Sequence, residues 1–469
     1  MSEKIVPTAS AQAEKTQNAQ AFLQLMRRLH FSIGLFIGPF IFAAALTGTL
    51  YVLTPQLENY LYAQQLTTDA PGPAQPLSKQ VDAALRYAGE QAKIAAVRPA
   101  PGDTETTRVM FRFADSAPSE TRAVFIDPKT LAVRGDLTVY GTSGILPLRT
   151  TLDYLHRSLL LGDIGRNYSE LAASWLWVAA LGGVLLWAVQ RTPRRSKTDR
   201  ASRTQRLLRL RAWHSLLGVA LLVGLLFFSA TGLTWSRWAG ENINALRAHY
   251  GWLTPAVNTQ LDGSMPPMMM DEHAEHHGGH MMHHAPDAPL SAAQFDGVLA
   301  AARASGIDAA KLEIRPSYQP NKAWIVGEID RRWPTQVDSV AVDPHSWRVT
   351  DKVEFAQFGL LAKLTRWGVD AHMGILFGVA NQLILALFGL ALCVLIVLGY
   401  RLWWQRRPAQ PRHNPADTLI DAWRRMSLSL RFLLSVVLVV LAFSLPVMGV
   451  SLVLFLLLDV WRWRRAQRA

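Results

Sequence analysis

Cysteine is almost missing from this chain, with one residue, Cys393, in 469. No intrachain disulfide can form, so any part that folds outside the cytoplasm does so without covalent staples. Acidic residues are few beside basic ones, 35 against 48, which leaves a net charge of +13. The arginines flank apolar runs and do not form a stripe on a polar fold, so no nucleic-acid partner is expected. A GxGxxG loop after a strand, a Walker A loop and an HExxH helix are all lacking. Their absence argues against a dinucleotide fingerprint, a phosphate loop and a zinc-protease centre. Electrons, if this chain moves them, come from a quinol or a cytoplasmic reductase. Met1–Ala21 has no apolar core and reads as a disordered cytoplasmic tail, not as a signal peptide.

What is present is apolar length. Half of the residues are hydrophobic, and combined with the positive charge this suits a polytopic membrane protein with a basic cytoplasmic side. Two runs match in register. Arg27–Tyr51 and Arg211–Trp235 each place His after Arg by three (His30, His214), Gly four later (Gly34, Gly218), and Thr-Gly starting 17 after the His (Thr47-Gly48, Thr231-Gly232). The offset is 184 at every one of these positions. PLSKQVDAAL from Pro76 then matches PLSAAQFDGVL from Pro289. VFIDPKTL (Val124–Leu131) matches VAVDPHSW (Val340–Trp347), and His156, Gly162 and Arg191 match His372, Gly378 and Arg407 at an offset of 216. A fixed-register repeat of this kind sets the organisation of the chain. The second half carries about 29 further residues between its first helix and its module.

The expected fold class is therefore an α-helical polytopic membrane protein of about six spans, in two tandem repeats, with two periplasmic α+β modules. The tail is 1–21, and the first repeat 22–191 encloses a module at 76–140. A basic loop follows at 192–211. The second repeat, 212–407, holds an insertion at 261–288 and a module at 289–352, and 408–469 is a helical hairpin. Spans are expected at Phe31–Leu53, Leu171–Val189, Leu216–Trp235 and Val379–Tyr400, each near the 20 residues a crossing needs. Leu428–Val460 reads as two short helices turning near Pro446 and Gly449, with five spans in all as the alternative. Within the first module, Leu77, Val81 and Leu85 recur at helical spacing, and Val109–Phe113 and Ala123–Ile126 have strand character. Each module reads as one helix on a small antiparallel sheet. Arg191–Arg211 holds eight Arg and one Lys, the strongest cytoplasmic signal in the chain.

Four histidines fall at repeat-related places. His30 and His214 begin spans one and three on the cytoplasmic side, and His156 and His372 precede spans two and four on the outer side. One such histidine alone is readily an interfacial side chain, but an ionisable group at a span is costly and points to a site. Haem takes two axial ligands from facing helices at one depth, which His30 with His214 and His156 with His372 would supply. Two haem b groups are expected. Gly34 and Gly218 would let a flat macrocycle approach the backbone, or serve close helix packing.

The insertion is a different kind of signal. Met265, Met268, Met269, Met270, Met281 and Met282 alternate with His273, His276, His277, His280, His283 and His284. Thioether with imidazole selects copper, above all Cu(I). The competing reading is a solvated linker.

The doubled R-x-x-H-x-x-x-G…T-G pattern, the PLS…DP modules and the His before each even-numbered span resemble the PepSY-associated transmembrane family, over about Met26–Arg407. That family includes iron-regulated inner-membrane proteins and siderophore-iron reductases. The resemblance implies PepSY-like modules in the periplasm, haem, the lipid bilayer of a bacterial inner membrane as surroundings, and reduction of a periplasmic metal chelate such as a ferric siderophore. The Met/His insertion departs from the plain family pattern. A non-enzymatic, membrane-anchored binder of metal or peptide is the alternative, with a transporter behind it.

Overall fold

The computed structural model describes residues 9–89, 91–117, 119–141, 143–189, 203–262, 290–406 and 418–468. In chain order, α1 (Ala9–Phe36), α2 (Gly38–Val52), α3 (Thr54–Leu61), α4 (Ala63–Leu66) and α5 (Leu77–Ala88) precede four strands, β1 (Lys93–Arg98), β2 (Thr107–Arg112), β3 (Glu120–Ile126) and β4 (Val133–Tyr140). Then come α6 (Pro147–Ser158), α7 (Gly162–Val189), α8 (Arg203–Ala220), α9 (Leu222–Thr234), α10 (Trp238–His249) and α11 (Ala293–Ala304). Strands β5 (Leu312–Arg315), β6 (Trp324–Glu328), β7 (Ser339–Val342) and β8 (Val349–Val353) follow, and α12 (Leu360–His372), α13 (Gly378–Gln405), α14 (Leu419–Arg424), α15 (Leu428–Ser444) and α16 (Pro446–Arg468) close the order. The chain forms two compact units, one of Met1–Thr49, Tyr154–Ile243 and Ala386–Ala469, the other of Leu50–Asp153 and Asn244–Leu385.

The first unit is helical. Among the described residues three helices are long and apolar enough to cross a membrane: Gly162–Val189, Gly378–Gln405 and Pro446–Arg465. The two matched runs of the sequence qualify only as bent pairs, Glu14–Phe36 with Gly38–Val52 at 55° and Gln205–Ala220 with Leu222–Thr234 at 58°. That makes three to five candidate spans, and Leu428–Ser444 is apolar but shorter.

The first expected span, Phe31–Leu53, thus falls on a bent pair, and Pro39 explains the bend. Proline has no N–H to donate and crowds the carbonyl four residues back, here that of Leu35. Tyr400 Oη donates to Leu35 O at 2.7 Å and replaces the lost partner. The second bend has no proline. Gly224, just past it, leaves room for Phe388, since a Cβ there would sit 2.2 Å from the Phe388 ring. The expected disordered tail is also corrected. Helix α1 already runs from Ala9, and Asn18 exchanges hydrogen bonds with Ser427, Nδ2 to Oγ at 3.0 Å and Ser427 N to Oδ1 at 2.8 Å.

Helix α7 is the hub of this unit. Trp175 is buried and donates to Ser451 Oγ at 2.8 Å, fixing α16. Glu170, fully buried, accepts from Trp238 N at 2.9 Å and Ala239 N at 3.2 Å and so caps α10, whose first N–H groups have no partner within the helix.

The second unit is built on one eight-stranded antiparallel sheet, in the order β4-β3-β2-β1-β5-β6-β7-β8. Sequence reasoning located β2 and β3 and passed over β1 and β4, which lack strict alternation. The two four-strand meanders share a seam at Val97 and Ile314. Helices α5 and α11 cover one face, where Val81, Val97, Phe111, Phe295, Ile314 and Trp324 form the core. Asp296 Oδ1 accepts from Ser78 N at 3.1 Å and ties the helices together. On the other face Arg98 pairs with Glu313 at 2.6 Å across the seam, and Arg315 holds the second oxygen of Glu313 at 2.6 Å. Burial alone would push the Glu313 carboxyl up, but the two guanidinium groups hold it below the usual range.

Candidate functional site

His30 lies near the C-terminal end of α1. Its Nδ1 is 3.0 Å from the carbonyl of Ala179 on α7, one turn before Gly183. A Cβ on Gly183 would come to 3.0 Å from His30 Cε1, so any side chain there would press the ring out of place by a few tenths of an ångström. His214, on α8, repeats the arrangement against α13: Nδ1 is 3.1 Å from Leu395 O, and a Cβ on Gly399 would lie 3.3 Å from Cε1. Ala179 and Leu395 are 216 positions apart, as are Gly183 and Gly399. The same local arrangement thus occurs at both histidines.

A carbonyl can only accept, so each Nδ1 carries the proton and each Nε2 the lone pair. Ligating histidines are oriented in this way by a backbone carbonyl on the other nitrogen. The two ring centres are 6.4 Å apart with planes at 77°. Two imidazoles on opposite sides of one metal, each about 2 Å from it, have centres roughly 6 Å apart. The open side is supplied by the glycines one turn further on. A Cβ on Gly34 would meet nothing within 4 Å, and one on Gly218 only Leu395 Cδ1 at 4.0 Å. The donor set, its spacing and this cradle fit a haem.

His156 sits at the end of α6. Its Nδ1 is 3.1 Å from Thr47 Oγ1, whose own proton is directed at Ala43 O, 2.7 Å away. The hydroxyl therefore accepts from the imidazole. A Cβ on Gly48 would stand 3.2 Å from His156 Cε1. The Thr-Gly pair of the repeat thus has a task in the first half: one residue orients His156 and the next makes room for it. Tyr168 Oη also donates to His156 O at 2.5 Å.

His372 closes α12, in the second unit. The residues around it are pinned. Asp370 is fully buried and pairs with Arg331 at 2.5 Å and Arg366 at 3.5 Å. Asn381 Nδ2 donates to Ala371 O at 3.0 Å. The structure therefore brings His30 and His214 together and places His156 and His372 in different units. The twelve Met and His residues of the insertion lie outside the described residues. Among the described residues no group of three or more His, Cys, Asp or Glu could hold a metal ion.

The family described as PepSY-associated TM region matches residues 27–406. The chain belongs to that family. The match takes in the first bent helix pair from Arg27 onward, the whole of the second, the whole eight-stranded sheet and all four histidines, and it makes this a membrane protein of the PepSY-associated class. No curated protein matches the chain.

Sequence reasoning missed Thr47, Gly183 and Gly399 as parts of the site. All three were visible as repeat mates, but the register between Gly183 and Gly399 had not been joined to that of the histidines.

Proposed function

We propose that this protein is a haem-dependent reductase of the bacterial inner membrane, passing electrons across it to a periplasmic metal complex, a ferric siderophore or a copper or iron species. The observation that carries this reading is the facing pair His30 and His214, each with its Nδ1 turned to a backbone carbonyl. Haem b between them would take up and release one electron at a time. The protein's own part is to fix both tautomers, to keep the helices apart by the width of two rings, and to leave the faces at Gly34 and Gly218 open. By the repeat, His156 and His372 serve a second haem nearer the outer side. Quinol or a cytoplasmic reductase is the donor.

The arginine asymmetry supports a cytoplasmic place for Arg191–Arg211 and Arg401–Arg425, six crossings, and a periplasmic sheet. Soft ligands at Met265–His284 support copper capture on the outer side.

Protein purified from haem-replete cells should give the reduced-minus-oxidised spectrum of six-coordinate haem. His214→Ala should remove about half of the haem and leave the rest. No Soret band at all, or loss of both haems together, would sink the reading. A reporter fused after Gly135 should read as external and one after Asp199 as internal.

A further inference from the structure

Helix α12 buries one face and leaves the other bare. Ala362, Val369 and Asp370 are buried in the second unit. Leu360, Leu361 and Leu364 are 69%, 42% and 51% exposed, and spacings of three and four residues put them on one side of the helix. The first half of the chain does not repeat this face. Helix α6 begins at Pro147, whose mate at the offset of 216 is Lys363, whereas α12 begins at Leu360. The residues that lengthen α12 are Leu-Leu-Ala. The mates of Leu360 and Leu361 are Gly144 and Ile145, which lie before α6, and Ile145 is buried.

The bare face is continuous with the start of a candidate span. Trp333, in the loop between β6 and β7, is 56% exposed, and its backbone N–H donates to Leu376 O at 2.7 Å. The Trp333 ring centre is 5.5 Å from that of Trp367 on α12 and 6.3 Å from that of Phe377. Phe377 is exposed too, and it immediately precedes the apolar helix Gly378–Gln405. In the first half Ala117 stands where Trp333 does. The polar partners sit to the side of this surface. Lys363 Nζ donates to Ala356 O at 2.7 Å, Arg366 leans on Asp370 at 3.5 Å, and Trp367 Nε1 donates to Thr335 Oγ1 at 3.1 Å.

A contiguous exposed apolar surface marks a contact with protein or with membrane. Here it adjoins the point at which a helix of a membrane protein becomes apolar enough to cross. Tryptophan is favoured at that level, where its ring meets acyl chains and its N–H stays near polar groups. A helix with leucines on one side and cations on its flank lies in the plane of the interface. We propose that Leu360, Leu361, Leu364 and Trp333 form a seat that rests in the surface of the lipid bilayer, among headgroups and upper acyl chains. Helix α12 ends at His372, so the seat fixes the depth of that histidine, whatever it binds.

The chain has one cysteine, so Cys393→Ser gives a background for single labels. Leu364→Cys in that background is labelled with an environment-sensitive fluorophore, and the full chain is placed in phosphatidylcholine nanodiscs. Leu387→Cys, exposed on α13, is the reference for a lipid-facing position inside the span. The Leu364 label should lose about half of its emission to nitroxides at the headgroup end of the acyl chain, less to nitroxides at the chain centre, and little to aqueous iodide, as suits a depth of ~5–10 Å. The Leu387 label should respond most to the chain-centre nitroxide. Strong quenching of the Leu364 label by iodide would mean that the face meets water, and would overturn the proposal. Protection from every quencher would mean that protein covers it, a second copy or another segment, and would overturn it equally. A depth profile like that of Leu387 would place α12 in the hydrocarbon core and not at its surface. Leu360→Cys, one turn away and more exposed, gives the same reading if the labelled Leu364→Cys chain does not fold.

Discussion

Gly183 stands behind the ring of His30 as Gly399 stands behind that of His214, each one turn along its helix from the carbonyl that holds the ring's Nδ1. The two glycines differ in how little room they leave. A methyl on Gly183 would lie 3.0 Å from its imidazole, and one on Gly399 would lie 3.3 Å away.

Gly183→Ala should therefore lower haem occupancy at this pair by about tenfold, equivalent to ~1.4 kcal/mol, and Gly399→Ala by less. Gly34→Ala separates packing from cofactor. Its methyl meets no protein atom within 4 Å, and alanine gains up to about 1 kcal/mol over glycine in a helix. Thermal stability of the haem-free chain should rise while haem content falls, read from the Soret band per protein.

Thr47→Val keeps the shape of the side chain and removes the oxygen that accepts from His156 Nδ1. The ring loses its orienting partner, not its place. The signal assigned to the outer haem should shift in midpoint potential or fall in amplitude in a redox titration, with the His30/His214 signal unchanged. An equal effect on both signals would mean that Thr47 acts on the fold as a whole.

Asp127 and Asp343 are repeat mates at the turns before β4 and β8. Burial would raise the Asp127 carboxyl, yet the Thr68 hydroxyl at 2.5 Å and the N–H groups of Lys129 and Thr130 hold it below the ordinary range. Burial acts on Asp343 in the same sense and is likewise outweighed, by the Ser346 hydroxyl at 2.5 Å and the His345 N–H. With folded values depressed, both contribute stability above the unfolded carboxyl pKa, and lose it as pH falls through the folded value. Asp127→Asn should cost about 1–2 kcal/mol near neutrality. Its melting curve should converge on that of wild type once the pH has fallen through the depressed folded value of Asp127, where both side chains are neutral.

Deleting Ser264–His284 should leave the haem spectrum intact, weaken Cu(I) binding, and change the rate with copper substrates only. Loss of haem on deletion would make histidines of the insertion ligands. No change in copper affinity or in any rate would make it a linker.

Much of this was legible because the chain says most things twice. The histidine register, the module edges near Pro76 and Tyr140, and the hinge at Pro446 follow from local chemistry: α5 begins just after Pro76, β4 ends at Tyr140 and α16 begins at Pro446. The bend at Ile37 was open to a reader of Gly38-Pro39, but the run around it is apolar enough to look like one straight span. Tyr400, which makes the bend affordable, is 365 positions from Leu35, and no local pattern announces that contact. The same holds for the seam. Val97 and Ile314 each sit in an ordinary short strand, and their pairing depends on two distant edges that both lack a neighbour.

That seam has a consequence for how the chain is made. Strand β1 is synthesised some two hundred residues before β5, with α7 and the bent pair α8–α9 still to enter the membrane. At about 5–20 residues per second, its edge stays unpaired for roughly ten to forty seconds. An open strand edge is a template for any other extended chain, and Arg98 has no Glu313 to meet during that time. The first module must therefore hold itself together on the α5 side alone, and a chain cut short anywhere between β4 and β5 would be released with a strand still seeking a partner.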